Sequence, residues 1–228
     1  MEIEGYTPRQ IPVEDTEWYR LLLPKEQEIL NSTCVKVNYS AGETVIKQGF
    51  TASHLLYLES GVVKLNVENR GRVTTFKVVS EGSFVGLICS FVDKKIDFSS
   101  VAVTDISVYL MSREVVERLI ELNGSFALWI VKLMSELTNN IVHNLITLSH
   151  KNVYGAIATS LLDLHQVFQT PIYTLPFNRE EFANALGYSK ESIINTLSEM
   201  KRDGIIAISG RKIEIKDMER LLLIAKNG

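Results

Sequence analysis

Cationic surplus, cysteine and long apolar runs are what this 228-residue chain has least of. Its 24 Lys+Arg stand against 27 Asp+Glu, a formal net charge of -3. A protein that coats nucleic acid through bulk charge needs a large cationic excess, so that mode is excluded while a small local basic surface is not. Cys34 and Cys89 are the only cysteines. They form no C-x-x-C pair and are too few for a four-cysteine zinc or iron–sulfur site; ordinary thiols are the expectation, redox sensing the lesser reading. Four histidines, His54, His143, His150 and His165, make no H-x-H or H-E-x-x-H motif. That excludes clustered-histidine metal catalysis of the cupin type, and no Ser/His/Asp arrangement is recognisable, so no enzyme, metal or cofactor is expected. No apolar run approaches the ~18 residues of a membrane span. The acidic start, Met1-Glu2-Ile3-Glu4, lacks the apolar segment of a secretory signal, which predicts a cytoplasmic protein.

What is present is an ordinary globular balance, 46% hydrophobic and 22% charged, arranged in three blocks. After a short helical stretch over 16–31, interrupted at Pro24, glycines at 42, 49, 61, 71, 82 and 86 punctuate β-type runs at 54–59, 62–68, 73–79 and 100–111. Strands at that spacing read as a β-sandwich or barrel, with hairpin turns at Ser60-Gly61 and at Asn69-Arg70-Gly71-Arg72. From Ser112, at most a simple N-cap, the pattern turns helical. Residues 125–149 lack Gly and Pro and place Ile130, Leu133, Leu137, Ile141, Asn144 and Leu148 at spacings of three and four. This heptad-like seam predicts a dimerisation helix, with Asn144 as a register-setting polar pair. The linker 150–152 divides it from a further helix that Thr170-Pro171 stops. The expected organisation is a sensor domain over 1–124, a dimer helix and hinge over 125–150, and a third domain over 151–228.

The third block carries the chemistry. Asn178 with Glu181 reads as a capping box for one helix, Ala183 is small where a second helix must cross, and Gly187 supplies the turn. Ser189 caps the next helix, whose buried face is Ile193, Leu197 and Met200, leaving Lys190, Glu191, Ile194, Asn195 and Ser198 outward. In a major groove Lys190 can reach phosphate or guanine, Glu191 cytosine N4, Asn195 adenine and Ile194 a thymine methyl. Residues 205–215 read as a hairpin wing with Arg211 and Lys212 at its tip; these, with Arg179, are the expected phosphate contacts.

These segments resemble the Crp/Fnr superfamily of bacterial transcription regulators over nearly the whole chain. Gly42-Glu43-Thr-Val-Ile-Lys-Gln48-Gly49 and Leu56-Tyr57-Leu-Glu-Ser-Gly61-Val-Val-Lys64 are similar to the start of that family's cyclic-nucleotide-binding-like roll. The run from Glu181 through Gly187-Tyr188-Ser189-Lys190-Glu191 to Asn195 is similar to its helix-turn-helix. The resemblance implies an α+β chain: an N-terminal double-stranded β-helix (β-roll or jelly roll), a long dimerisation helix and a C-terminal winged helix-turn-helix. It implies a homodimer on inverted-repeat double-stranded DNA, with RNA polymerase as a further partner.

Two departures stand out. In cyclic-nucleotide-responsive members a Glu for the ribose and an Arg-Ser pair for the phosphate follow the roll's Phe-x-Gly. Here Phe84-Val85-Gly86 is followed by Leu87, and the later stretch is Asp97-Phe98-Ser99-Ser100. Without the arginine a ligand phosphate loses its bidentate partner, with Lys94 or Lys95 left as a point charge at best. The effector pocket expected around Gly86, Leu87, Phe98, Ser99 and Ser100 is therefore degenerate, taking an effector other than a cyclic nucleotide or none. Many relatives also place Arg where Asn195 stands, so the DNA half-site should differ from the family's usual one. The competing reading is a small-molecule sensor whose helix-turn-helix serves protein assembly. Divided at residue 150, the charge is about +1 for 151–228, with ten Lys+Arg against nine Asp+Glu, and about -4 for the rest. A nearly neutral reader must therefore concentrate its cations locally.

Overall fold

The computed structural model describes residues 13–51, 53–91 and 95–228; Lys94 and the side chains of Asn144 and Leu148 lie outside the described residues. Contacts group these into two compact units, one reaching Leu65 and resuming over Val79–Ile141, the other comprising Asn66–Val78 and Val142–Gly228.

The first unit opens with a 3-10 turn at Val13–Asp15 and two helices, α1 (Glu17–Arg20) and α2 (Pro24–Thr33). Pro24 occupies the first helical position of α2, where its missing N–H costs nothing. Strands β1 (Val35–Tyr39), β2 (Thr44–Ile46), β3 (His54–Ser60), β4 (Val62–Asn69), β5 (Arg72–Ser80) and β6 (Phe84–Val85) follow. Then come α3 (Leu87–Ser90), β7 (Ser99–Ala102) and β8 (Ile106–Ser112). They build two four-stranded sheets in the orders β1-β8-β3-β6 and β2-β7-β4-β5, the roll that the family resemblance implies. β3 is buried from Leu55 to Ser60, so both of its faces are covered. Leu55 and Tyr57 meet Trp18, Leu22, Leu30, Leu119 and Phe126 in one apolar cluster. Trp18, Tyr57 and Phe84 lie edge to face there at 5.2–5.5 Å, and Trp129 joins Phe84 at 5.9 Å. Two residues beyond Tyr57, Glu59 is 4% exposed. Lys36 Nζ lies 2.5 Å from its Oε2 and the Tyr109 hydroxyl donates to its Oε1 at 3.0 Å. Burial opposes ionisation of Glu59, but bonds from Lys36, Ser107 and Tyr109 outweigh it and hold its pKa below the usual carboxylate value.

Helix α4 (Arg113–Leu122) starts at Ser112, whose side chain makes no cap bond. Helix α5 (Gly124–His150) has 27 residues, about 40 Å of helix at 1.5 Å per residue. Asn123 joins the two: its Oδ1 accepts from the Ser125 and Phe126 amides, and its Nδ2 donates to buried Glu26 at 2.7 Å. The seam read from spacing is rotated here. Ile130 is 4% exposed within its own chain's core, and Leu133 and Leu137 pack against the same cluster. The first half of the helix thus spends those residues on the roll-side aromatic cluster. Among the described side chains of α5, the exposed large apolar ones are Leu128, Val131, Ile141, Val142 and Ile146. Of these, Leu128, Val131 and Val142 fall in register with exposed Ser135 and Thr138 at spacings of three and four. Only Ile141 of the expected seam's described side chains is among the exposed large apolar residues.

The second unit contains α6 (Val153–Phe168), β9 (Ile172–Thr174), α7 (Arg179–Leu186), α8 (Lys190–Arg202), β10 (Ile206–Ser209), β11 (Lys212–Ile215) and α9 (Met218–Asn227). The N-cap of α6 is Asn152, accepting from the amides of Tyr154 and Gly155. Ile157, Leu161, Phe182, Ile193, Met200, Ile205, Ile213 and Leu221 are fully buried and form the unit's interior. The wing is three-stranded, in the order β10-β11-β9. β9 is absent from the sequence reading, although Ile172-Tyr173-Thr174 between two prolines carried the β-propensity that marks it. Tyr173 ties this strand to α6 by donating its hydroxyl to the Leu161 carbonyl at 2.6 Å.

Candidate nucleic-acid interface

Local sequence sets both ends of α7 and the start of α8. At the start of α7, Asn178 Oδ1 accepts from the Glu180 and Glu181 amides at 2.9 Å, and Glu181 Oε2 accepts from the Asn178 amide at 2.9 Å. This is the capping box expected from the spacing, satisfying three helix-start donors. Gly187 ends α7 at φ +75°, a left-handed conformation that a residue with a Cβ adopts only under strain. Ser189 Oγ then accepts from the Ser192 amide at 3.1 Å and starts α8. Phe182, Ala183, Ile193, Leu197 and Met200 are buried and lock the two helices together.

The opposite face of α8 is open. Lys190, Glu191, Ile194, Asn195 and Ser198 are all exposed, Ile194 by 41%. The structure brings these five to one surface but divides their capacities. Ser189 is committed to the cap, so it positions the helix instead of offering a free hydroxyl. Ser198 donates its proton to the Ile194 carbonyl at 2.8 Å, leaving only acceptor capacity outward. Lys190 lies 3.8 Å from Glu180, and both are more than half exposed, a loose pair that solvent screens. Glu191 and Asn195 make no such bond among the described residues, so the first presents an acceptor outward and the second a donor and an acceptor together.

The wing pairs Ile206 with Ile215, Ile208 with Ile213 and Ser209 with Lys212. Its isoleucines lie on one side, as the alternation predicts, and Arg211 and Lys212 stand exposed at the turn. Arg179, expected as a phosphate contact, is instead half-buried: its Nη2 donates to the Gly210 carbonyl at 2.9 Å, while its buried Nη1 lacks a partner. Burial lowers its pKa from the ordinary guanidinium value. Its geometry is that of a brace between the wing turn and the start of α7, a role that no sequence signal announced because the two segments are 31 residues apart.

In the roll, the expected pocket residues are only partly together. Gly86 has φ +85°, and a Cβ there would lie 3.3 Å from Phe98 Cζ and 3.6 Å from Ile46 Cδ1. The Phe98 ring, 6% exposed, thus covers the glycine. Leu87 does not face that spot as a ligand-binding side chain. It is 2% exposed and belongs to the apolar cluster with Trp18 and Tyr57, so its placement among pocket residues is corrected by its packing. Ser99 is half-buried, and Ser100 is fully buried with its Oγ unbonded. Asp97 is exposed, and next to burial its charge helps raise the Cys89 thiol's pKa. The Cys34 thiol is pushed up to about 11 by burial. Thiols shifted in that direction are poor thiolate nucleophiles at neutral pH. Among the described residues no group of three His, Cys, Asp or Glu could hold a metal ion, and no helix is long and apolar enough to cross a membrane.

Comparison with known proteins places two family models on these parts. A cyclic nucleotide-binding domain matches residues 36–123, and a Crp-like helix-turn-helix domain matches residues 155–224. The chain is 25% identical over 191 residues to a CRP-like cAMP-activated global transcriptional regulator of Mycobacterium tuberculosis, covering 81% of this chain and 85% of that protein. It is 26% identical over 193 residues to the transcriptional activator protein FnrA of Stutzerimonas stutzeri, covering 81% and 78%. Among solved structures, a putative Crp/Fnr-family regulator from Eubacterium rectale superposes with a TM-score of 0.77 at 18% identity, over 93% of this chain and 99% of that one. FixK2 from Bradyrhizobium japonicum does so with 0.71 at 20%, over 84% and 97%. With both models matched in the order roll then reader, and the fold shared along nearly its whole length, the chain belongs to the Crp/Fnr superfamily of transcription regulators.

Proposed function

We propose that the chain works as a homodimer that reads an inverted-repeat site in double-stranded DNA through α8. Glu191, Ile194 and Asn195 are the base readers, and Lys190, Arg211 and Lys212 the backbone contacts. The observation that carries this reading is the open face of α8, capped by Ser189 and fixed from behind by Ile193, Leu197 and Met200. Asn195 favours adenine N6/N7, and Glu191 favours cytosine N4. The dimer reading rests on the exposed stripe of Leu128, Val131, Ser135, Thr138 and Val142, whose spacing suits a second copy of the same helix. In this assignment residues 1–124 are the sensor, 125–150 the dimer helix and hinge, and 151–228 the reader that acts on RNA polymerase output.

In this reading the roll answers to a signal other than a cyclic nucleotide, or to none. Leu87 is buried among apolar side chains where a ribose carboxylate would be needed, and Phe98 lies over Gly86 where a phosphate would approach. Mobility shifts on DNA selected by the wild type test the α8 assignment. A Lys190→Ala/Asn195→Ala double variant is expected to lose specific binding; binding equal to that of the wild type rules the recognition helix out. Failure of the wild type to enrich any DNA would favour a protein-assembly role for the helix-turn-helix.

A further inference from the structure

We propose that Arg70 and Arg72, at the turn between β4 and β5, form with Lys190 a second cleft for the DNA backbone, holding phosphate beside the base-reading face of α8. The inference rests on the DNA-binding reading above and adds a contact from a segment more than a hundred residues away in sequence. Asn66–Val78 belongs to the same compact unit as Val142–Gly228. Asn184 Nδ2 of α7 donates to the Val73 carbonyl at 3.3 Å. An open cleft of about 720 Å³ runs between Arg70 and Arg72 on one wall and Asn178, Ser189 and Lys190 on the other.

The charges of this cleft point to an anion. It holds three cations and two carboxylates, Glu180 and Glu181. Glu181 closes the cap on Asn178, and Glu180 makes the loose 3.8 Å pair with Lys190. Arg70 and Arg72 are exposed and make no ion pair among the described residues. The turn itself does not call for arginine: Arg70 sits at φ +52° beside Gly71 at +77°. A non-glycine residue there costs roughly 1 kcal/mol, and Asn or Gly would suit it better. Each guanidinium can fork onto two oxygens of one phosphate. The cleft reaches Ser189 and Lys190 but not Glu191, Ile194 or Asn195, so an occupied cleft leaves the reading face clear.

The test is the salt dependence of binding to DNA selected by the wild type. Each phosphate neutralised contributes about 0.9 to the slope of log K against log salt. Arg70→Ala/Arg72→Ala is expected to reduce that slope by about 1.8 per subunit with base preference unchanged. Arg70→Lys/Arg72→Lys should keep most of it. Arg70→Asn/Arg72→Gln, which fits the left-handed turn, should behave like the alanine pair and guards against a folding artefact. The control Lys25→Ala/Arg118→Ala removes the same net charge from exposed positions outside the cleft and should leave the slope unchanged. The proposal is overturned by an unchanged slope in the alanine pair, by an equal loss in the control, or by tighter binding, which would make the turn a cover. Stabilisation of the wild type by inorganic phosphate, lost in the alanine pair while the DNA slope stays the same, would assign the cleft to a free anion and overturn it too. Failure of the wild type to select DNA would overturn the reading of α8 itself, a separate result.

Discussion

The two faces of α5 make opposite predictions when each is perturbed. Leu128, Val131 and Val142 are 55%, 57% and 48% exposed, so about half of each side chain is available for burial against a second copy. Full burial of such a side chain is worth about 1.5–3 kcal/mol, so the exposed half gives about 1 kcal/mol, and three residues in two copies give about 6 kcal/mol. Leu128→Asp/Val131→Asp removes about 4 kcal/mol of this and brings like charges together. At about 1.4 kcal/mol per tenfold, the dimer dissociation constant should rise by at least a thousandfold. Ile130→Ala acts on the other face, where the side chain is 4% exposed; removing it should cost about 2–5 kcal/mol of folding stability. Sedimentation velocity and denaturant unfolding of both variants separate the two effects. The aspartate pair should give a folded monomer, and Ile130→Ala a destabilised dimer. A dimer that survives the aspartates but dissociates on Ile130→Ala, with unfolding unchanged, would refute the reasoning and restore the seam read from sequence.

Further outcomes follow from single sites. Asn178→Ala breaks the capping box and should lower the stability of the reader by about 1 kcal/mol, visible as a lower denaturant midpoint, whereas Asn178→Asp retains the accepting oxygen and should lose little. Leu87→Glu restores the carboxylate of cyclic-nucleotide-responsive relatives on paper, but the side chain is buried among apolar groups. Thermal unfolding should show a large drop and calorimetry no cyclic AMP binding; tight binding would contradict the placement of Leu87. Glu59 has its pKa held below the ordinary 4.5 in the folded chain. Its contribution is therefore fully present above that value and is lost as pH falls through the lower folded pKa. Glu59→Gln should be less stable than wild type at pH 7, with the difference closing as pH falls below 4.5 and through the lower folded pKa; a difference independent of pH would exclude the linkage.

Much of this was legible in the residues themselves, for identifiable reasons. The capping box at Asn178 and Glu181, the turn at Gly187 and the cap at Ser189 are local features, set by side chains bonding to backbone two or three residues away. The isoleucine alternation of the wing is equally local. What escaped the sequence involves partners far along the chain. Spacing alone gave α5 a seam with heptad period but not which stripe the roll-side aromatic cluster would claim, and Ile130, Leu133 and Leu137 went to that cluster. Arg179 reads as a free cation until Gly210, 31 residues on, takes its guanidinium. Leu87 reads as a pocket residue by alignment with a ligand-binding cassette, and only the packing of Trp18 and Tyr57 shows where it turns. Arg70 and Arg72 look like a hairpin tip in the sequence; their nearness to Lys190 is a property of the fold.

The central claim is that α8 reads an inverted repeat as part of a symmetric dimer. Selection of DNA from a random pool by the wild-type protein, followed by sequencing of the bound fraction, tests it most directly. The expected result is a palindromic site with half-sites about 10–10.5 base pairs apart from centre to centre, carrying adenine where Asn195 reads and cytosine where Glu191 reads. No enriched sequence, or a single half-site without its inverted partner, would contradict the account.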